Sequence, residues 1–456
     1  MVTIKAPTPL RDRRADSRLF PVPVPVALAG PVSGPVRIPV RVAALVFAVL
    51  LGLLLPAGAA ADTRVQSELD TFATLVWTGD ELGLASFARG QIDFRSPRGQ
   101  PVQGRLQLRT TLGDDHSPAG MRLRPALLEV PRANLRFRFP ITEEYTMRVT
   151  AGRDRVTWGV GSLFNAADLL FGADGTAAAD FTEIEDVRDE TDWLTALYFP
   201  IGDLSYLETI ALPPLPDLTL QPAGDGNAGD NNAGNGNGSG GGGVLGGERA
   251  GFEGTPPVSD TSAGLRLHTQ LAGVSIEPSY LWDGRGGDHN VALALQRGLV
   301  ADFYAAARLR LDEEMPGEAA RVLEERSIIS TGVYYAFNLG RDRRLTGRFE
   351  TLINPGGDWE KQSIHWQDHT EDNPEYGILL YPELVYSPGR TVDVIARSVV
   401  SPIDRSALIT GGVSWNVFGG FRAQAFAGVE AGDDEGVFGW DRPGSLRLST
   451  GFNYRF

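Results

Sequence analysis

The 456-residue chain has no cysteine, only two lysines (Lys5 and Lys361), five histidines and a single long apolar run. Without cysteine there is no disulfide framework. A lipid-anchored lipoprotein, which needs a cysteine at its processing site near residue 61, is excluded as well. With lysine almost absent, arginine carries nearly all the positive charge. The formal net charge is −15. Removing residues 1–61 takes away seven basic and two acidic residues, leaving about 35 against 55 and a net charge near −20, which argues against nucleic-acid binding.

The one apolar run spans Val42 to Leu55, behind Arg37 and Arg41 and ahead of Pro56 and Ala59-Ala60-Ala61. It is short for a membrane helix, and small residues follow it instead of a charged stop. This pattern marks a secretory signal cut after Ala61. Residues 1–61 are therefore expected to be a leader (a misassigned start plus the signal). Residues 62–84 are expected to form a short periplasmic segment, and 85–456 the folded body.

The body is written in short alternating runs set apart by Gly, Pro, Asp and Asn. The clearest are 104–112, 133–140, 144–152, 263–271, 274–282, 344–353, 391–400, 421–430 and the last strand. Weaker ones lie at 85–95, 192–200, 204–212, 289–297, 300–311, 327–338, 377–387 and 405–417. Apolar and polar residues alternate with period two, and ten residues suit a tilted strand crossing a bilayer. Short connections alternate with long ones, among them 214–260, the Gly/Asn/Asp-rich part of which cannot bury anything and is expected to be disordered. Repeated Asp and Asn there hint at calcium, although no loop pattern supports it. Only helices and closed barrels cross a bilayer with every amide paired. The expected fold is all-β: a transmembrane antiparallel up-and-down β-barrel of about 14–18 strands, with short periplasmic turns and long extracellular loops.

The closing SLRLSTGFNYRF puts Leu446, Leu448, Thr450, Phe452, Tyr454 and Phe456 on one parity and Arg447, Ser449, Gly451, Asn453 and Arg455 on the other. Gly451, Tyr454 and Phe456 resemble the terminal assembly signal of Gram-negative outer-membrane proteins. That resemblance implies the cell outer membrane, recognition by the barrel-assembly machinery with its periplasmic chaperones, a setting of outer-membrane lipid and lipopolysaccharide, and pairing of this strand with the first.

On three early strands Arg105, Arg109, Asn134, Arg136, Arg138 and Arg148 share the polar parity. Facing a wet lumen they form a wall charged at any pH. It either favours anionic solutes or bridges to inward acids and only holds the barrel together. Residues 152–172 break the alternation. They resemble a W-G…F-N-P-x-D stretch of uncharacterised porin-like families, with Ala166 at the proline position, and the resemblance implies a loop folded into the lumen. Trp158, Gly159, Asn165 and Asp168 are its candidate residues, with Asn165 expected to cap a short helical turn reaching Leu170. Residues 166–260 contain seventeen acids against Arg188 and Arg249, so that acidic loops would face the arginine wall.

His365 and His369 sit in H-x-x-D-H, which resembles the zinc motif of inverted metalloproteases but with Asp368 for Glu and in a loop; they are weak metal candidates. No constellation supports catalysis, and neither enzyme activity nor a cofactor is expected. The expected function is a porin-like channel for small hydrophilic solutes. A plugged surface scaffold, adhesin or polysaccharide-associated barrel, and a polymer export channel, are the alternatives.

Overall fold

The structure, a computed structural model, describes residues 63–456 apart from 78–81, 98, 114–127, 177–178, 180, 182–186, 189, 215–218, 221–257, 312–318, 361–375, 434–435 and 440–444. The expected leader (residues 1–61), the Gly/Asn/Asp-rich stretch 224–243, and His365 with His369 lie outside the described residues. In chain order the strands are β1 (Arg64–Trp77), β2 (Leu82–Arg95), β3 (Val102–Gly113), β4 (Leu128–Pro140), β5 (Thr146–Asp154), β6 (Asp192–Gly202), β7 (Ser205–Leu212), β8 (Thr219–Leu220), β9 (Ser262–Leu271) and β10 (Val274–Trp282). There follow β11 (His289–Gly298), β12 (Asp302–Leu311), β13 (Ser327–Asn338), β14 (Arg344–Ile353), β15 (Ile378–Ser387), β16 (Val392–Ser401), β17 (Ser406–Phe418), β18 (Phe421–Ala431) and β19 (Leu446–Arg455), with one short helix, α1 (Ala319–Arg326), ahead of β13.

Each long strand pairs antiparallel with its neighbour, and β1 pairs with β19 from Glu68↔Arg455 to Val76↔Arg447, which closes the sheet. Eighteen strands form this up-and-down barrel. The two-residue β8 lies outside the cycle, paired with the start of β4, while β7 joins β9 directly. The even count returns the start of β1 and the end of β19 to the same rim, the one that also carries the tight turns such as 203–204, 272–273 and 419–420. Residues 62–84 are therefore not a separate segment before the barrel. They hold β1, the closing strand, and the start of β2. The alternation of β1 is blurred because its inward set runs from Glu68 and Asp70, which meet Asn453 of β19, to the buried Phe72, Thr74 and Val76.

The distribution of polarity is the reverse of a water-soluble domain. Outward positions carry Leu135, Phe139, Leu293, Leu295, Ile409, Val413, Leu448 and Phe452, all exposed. The inward positions beside them include Asp93, Asn134, Glu208, Glu277, Arg308, Glu350, Glu383, Arg397 and Arg447, all buried. Counting along the outward parity of all eighteen strands, only Arg153 and Arg297 carry charge. A polypeptide hides its charges and shows its leucines to its surroundings only when those surroundings are apolar.

Candidate functional site: the barrel interior

The described residues of 155–191, between β5 and β6, do not stay outside the barrel. Trp158, Leu163, Phe164, Ala166, Ala167, Ala173, Phe181 and Val187 are buried in one apolar cluster with inward side chains of the wall such as Leu194, Ala292, Ile328, Tyr381 and Val399, and Asn165 and Asp168 are buried as well. The polar lining expected from strand parity is thus interrupted wherever this segment rests on it.

What anchors the segment is a set of carboxylates on the wall. Trp158 donates its indole N–H to Glu208 of β7 at 3.0 Å, and the Gly159 amide donates to Glu277 of β10. Arg266 of β9 lies between those two acids, at 2.8 and 3.1 Å, and donates to the carbonyl of Thr157 at 2.9 Å. Farther round, Glu350 of β14 accepts the amides of Ser162, Leu163 and Phe164 at 2.7, 2.8 and 2.9 Å. Tyr304 of β12 donates its hydroxyl to the same carboxylate. Its ring lies across Gly332 on β13, where an added Cβ would overlap the ring at 2.2 Å. The Ala166 amide donates to Ser330, and Arg397 of β16 donates to the carbonyl of Phe181 at 2.8 Å while held by Glu383 at 2.7 Å. The segment therefore reaches from its roots at β5 and β6 to β7–β10 on one side and β13–β16 on the other.

Inside the segment the chain turns on side-chain hydrogen bonds rather than on a helix. Asn165 donates to the Trp158 carbonyl at 2.7 Å and accepts from the Ala167 amide at 3.2 Å. Asp168 accepts the amides of Leu170 and Phe171, both at 3.3 Å. Two successive turns at 166–167 and 169–171 replace the helical turn expected after Asn165. Gly159 has φ +74°, and a Cβ there would meet Asn165 and Ala167 at 2.6 Å, so only glycine fits beneath the turn. Burial pushes the Asp168 carboxyl up to about 6, against the pull of Arg188 at 3.7 Å.

The arginine positions lie together on the adjacent strands β3, β4 and β5. Arg105 is bound to Asp93 of β2 through two contacts at 3.0 and 2.6 Å, and Arg95 shares that acid. Arg109 reaches Gln91 at 3.3 Å and stands opposite Glu129, across a bulge that shifts the register of β3 against β4. Asn134 donates to the carbonyl of Arg153, and Arg136 lies 3.6 Å from Asp154. Arg138 and Arg148 face each other in register, and Arg148 stacks over Tyr198 at 4.0 Å. The buried Nε of Arg138 has no hydrogen-bond partner among the described residues. Arg64, Arg95, Arg105, Asn134, Arg136 and Asp154 line part of a cavity of about 420 Å³. A second cavity of about 300 Å³ lies where Val160, Gly161 and Ser162 meet Tyr304 and Arg348. Of the arginine wall, Arg105 and Arg136 are thus bridged to acids, while Arg138 and Arg148 have no acidic partner among the described residues. Gly451 and Tyr454 lie on β19, with Gly451 packed against Phe72; Phe456 follows the strand, and its ring meets Tyr454 edge-on at 4.3 Å.

Reading the sequence by strand parity does not single out Glu208, Glu277, Glu350 and Glu383, the acids on which this interior is built. Their signal is a lone glutamate at an inward position of an otherwise apolar or aromatic strand, as in SYLETIAL and ILLYPELVYS.

Closure, strand number and inverted polarity define the class: a single-chain antiparallel barrel with a polar, partly filled interior. No protein-family model matches the chain, and no curated protein sequence does. Among solved structures, a triple variant of a Rhodopseudomonas blastica porin is 12% identical with a TM-score of 0.40, covering 86% of this chain and 100% of its own. A second triple variant of that porin is 13% identical at 0.39 over the same shares. An engineered protein studied for asymmetric conductivity is 12% identical at 0.40, over 87% and 100%.

Proposed function

We propose that the chain is a porin-like channel of a Gram-negative outer membrane, passing small hydrophilic solutes and favouring anions. One observation carries this reading: eighteen strands close with an almost charge-free outer face around a charged interior that keeps cavities beside its arginines. Water and ions have a polar path only through the middle, and lipid has contact only outside. The segment 155–191 acts as the constriction. The arginine wall supplies a fixed positive field on one side of the opening, and the acidic stretch 166–260 supplies the opposite sign. Gly451, Tyr454 and Phe456 serve as the assembly signal. The barrel has no catalytic role.

In planar bilayers the refolded mature chain is expected to conduct steadily. Arg136→Glu with Arg138→Glu is expected to move the anion-to-cation permeability ratio roughly tenfold toward cations, equivalent to about 1.4 kcal/mol between the two barriers. Unchanged selectivity would remove the arginine wall from the mechanism. A second reading, a surface scaffold with a plugged lumen, is favoured by the apolar packing of Leu163, Phe164, Phe181 and Val187 inside the barrel. A correctly inserted protein that never conducts would establish it in place of the channel.

A further inference from the structure

The outer wall is nearly uncharged, and the two exceptions differ. Arg153 lies at the loop end of β5, and its Nε donates to Thr191 at 3.1 Å. Arg297 lies at the tight-turn end of β11, exposed, with no hydrogen bond or ion pair to any described residue. It starts a row that crosses four strands in register: Arg297 on β11, Phe303 on β12, Val333 on β13 and Phe349 on β14. The next row toward the loop end is Leu295, Ala305 and Thr331. Small Ala305 and Thr331 between Phe303, Phe349 and Leu295 leave a hollow of about 450 Å³ in the outer face, with Arg297 among its lining residues. Beyond Arg297 the turn 299–301 exposes Leu299 and Val300, at 65% and 83%, as a surface that dips into an apolar boundary would.

We propose that this hollow is a binding site for one anionic phospholipid of the leaflet on the tight-turn side, a proposal that rests on the membrane reading above. The acyl chain lies along Leu295, Ala305 and Phe349, and Arg297 holds the phosphate. The chemistry of the parts selects this occupant. An arginine on the lipid face is costly at mid-depth and costs little near the interface, where its stem lies along apolar surface and its head meets the headgroups. A guanidinium with no protein partner has the donor fork that suits phosphate oxygens. An open apolar groove leading away from it matches a fatty chain and offers nothing to a soluble anion.

The experiment is native mass spectrometry of the refolded barrel in detergent, with phosphatidylglycerol or phosphatidylethanolamine added at matched ratios, and with bilayer conductance measured on the same preparations. One retained phosphatidylglycerol per barrel is expected, with retention at least tenfold above phosphatidylethanolamine. Arg297→Gln should abolish that preference. Ala305→Phe, which fills the hollow with a side chain suited to the lipid face, should remove the bound lipid while Arg297 stays in place. Arg297→Lys should keep a weaker preference. Equal retention of the two lipids, unchanged retention in both Arg297→Gln and Ala305→Phe, or occupation by a second barrel would overturn the site. Should wild type conduct and retain no lipid, the site alone falls; a barrel that fails to insert in bilayers removes the membrane reading beneath it.

Discussion

Replacing Glu350 by alanine is expected to release the inward segment and raise single-channel conductance severalfold. One carboxylate at this position accepts three consecutive backbone amides, those of Ser162, Leu163 and Phe164, together with the Tyr304 hydroxyl. Hydrogen bonds to a charged acceptor are worth about 1.5–3 kcal/mol each, and the donors left behind would be unpaired. Removing the acceptor therefore costs on the order of 3–5 kcal/mol, comparable to breaking a buried ionic contact. Burial of Leu163 and Phe164 against the wall opposes release, which is why the carboxylate is the place to cut rather than a ring. Glu350→Gln should behave similarly, because its amide group would point a donor at donors. Conductance is read in planar bilayers, and protease cleavage within 155–191 reports the segment directly. A Glu350→Ala channel with wild-type conductance and a protected segment would show that the segment is held by its apolar face alone.

Leu293→Arg is expected to destabilise the inserted barrel by about 2–4 kcal/mol, the cost of an arginine on a lipid face near mid-depth. Leu293 sits midway along β11 on the outward parity and is 43% exposed. The control is Gln270→Arg on the inward face of β9, exposed and opposite Ser275, where the new charge meets water and should cost under about 1 kcal/mol. Urea titration of the protein folded into lipid vesicles measures both. In a water-soluble β-protein the two substitutions would exchange rank, since an exposed leucine tolerates arginine readily. The comparison thus reports on the surroundings of the barrel rather than on the strand.

Strand parity made most of the architecture readable. Runs such as 274–282, 327–338 and 344–353 coincide with β10, β13 and β14, because each turns one consistently apolar face outward. β1 escaped for the opposite reason. Its inward side changes from Glu68 and Asp70 to Phe72 and Val76, so no single face reads as polar. The interior was less legible. The break in alternation at 152–172 marked a departure from the wall, but which wall residues it would meet depends on strands up to two hundred residues away. Glu350 meets Leu163 across 187 positions. Local propensity likewise favoured a helical turn after Asn165; its Oδ1 does accept a following amide, that of Ala167, but its Nδ2 is tied back to the Trp158 carbonyl and the chain continues in separate turns.

The absence of cysteine makes the most direct test of the central claim simple, since a single introduced thiol is the only one present. Placed one at a time from 134 to 139 on β4 in lipid vesicles, cysteines at 134, 136 and 138 are expected to react with a charged, water-soluble thiosulfonate. Those at 135, 137 and 139 are expected to stay inert to it and to react only with a reagent that partitions into lipid. Equal reaction of both parities with the water-soluble reagent would contradict a wall that is wet on its inner face and greasy on its outer one.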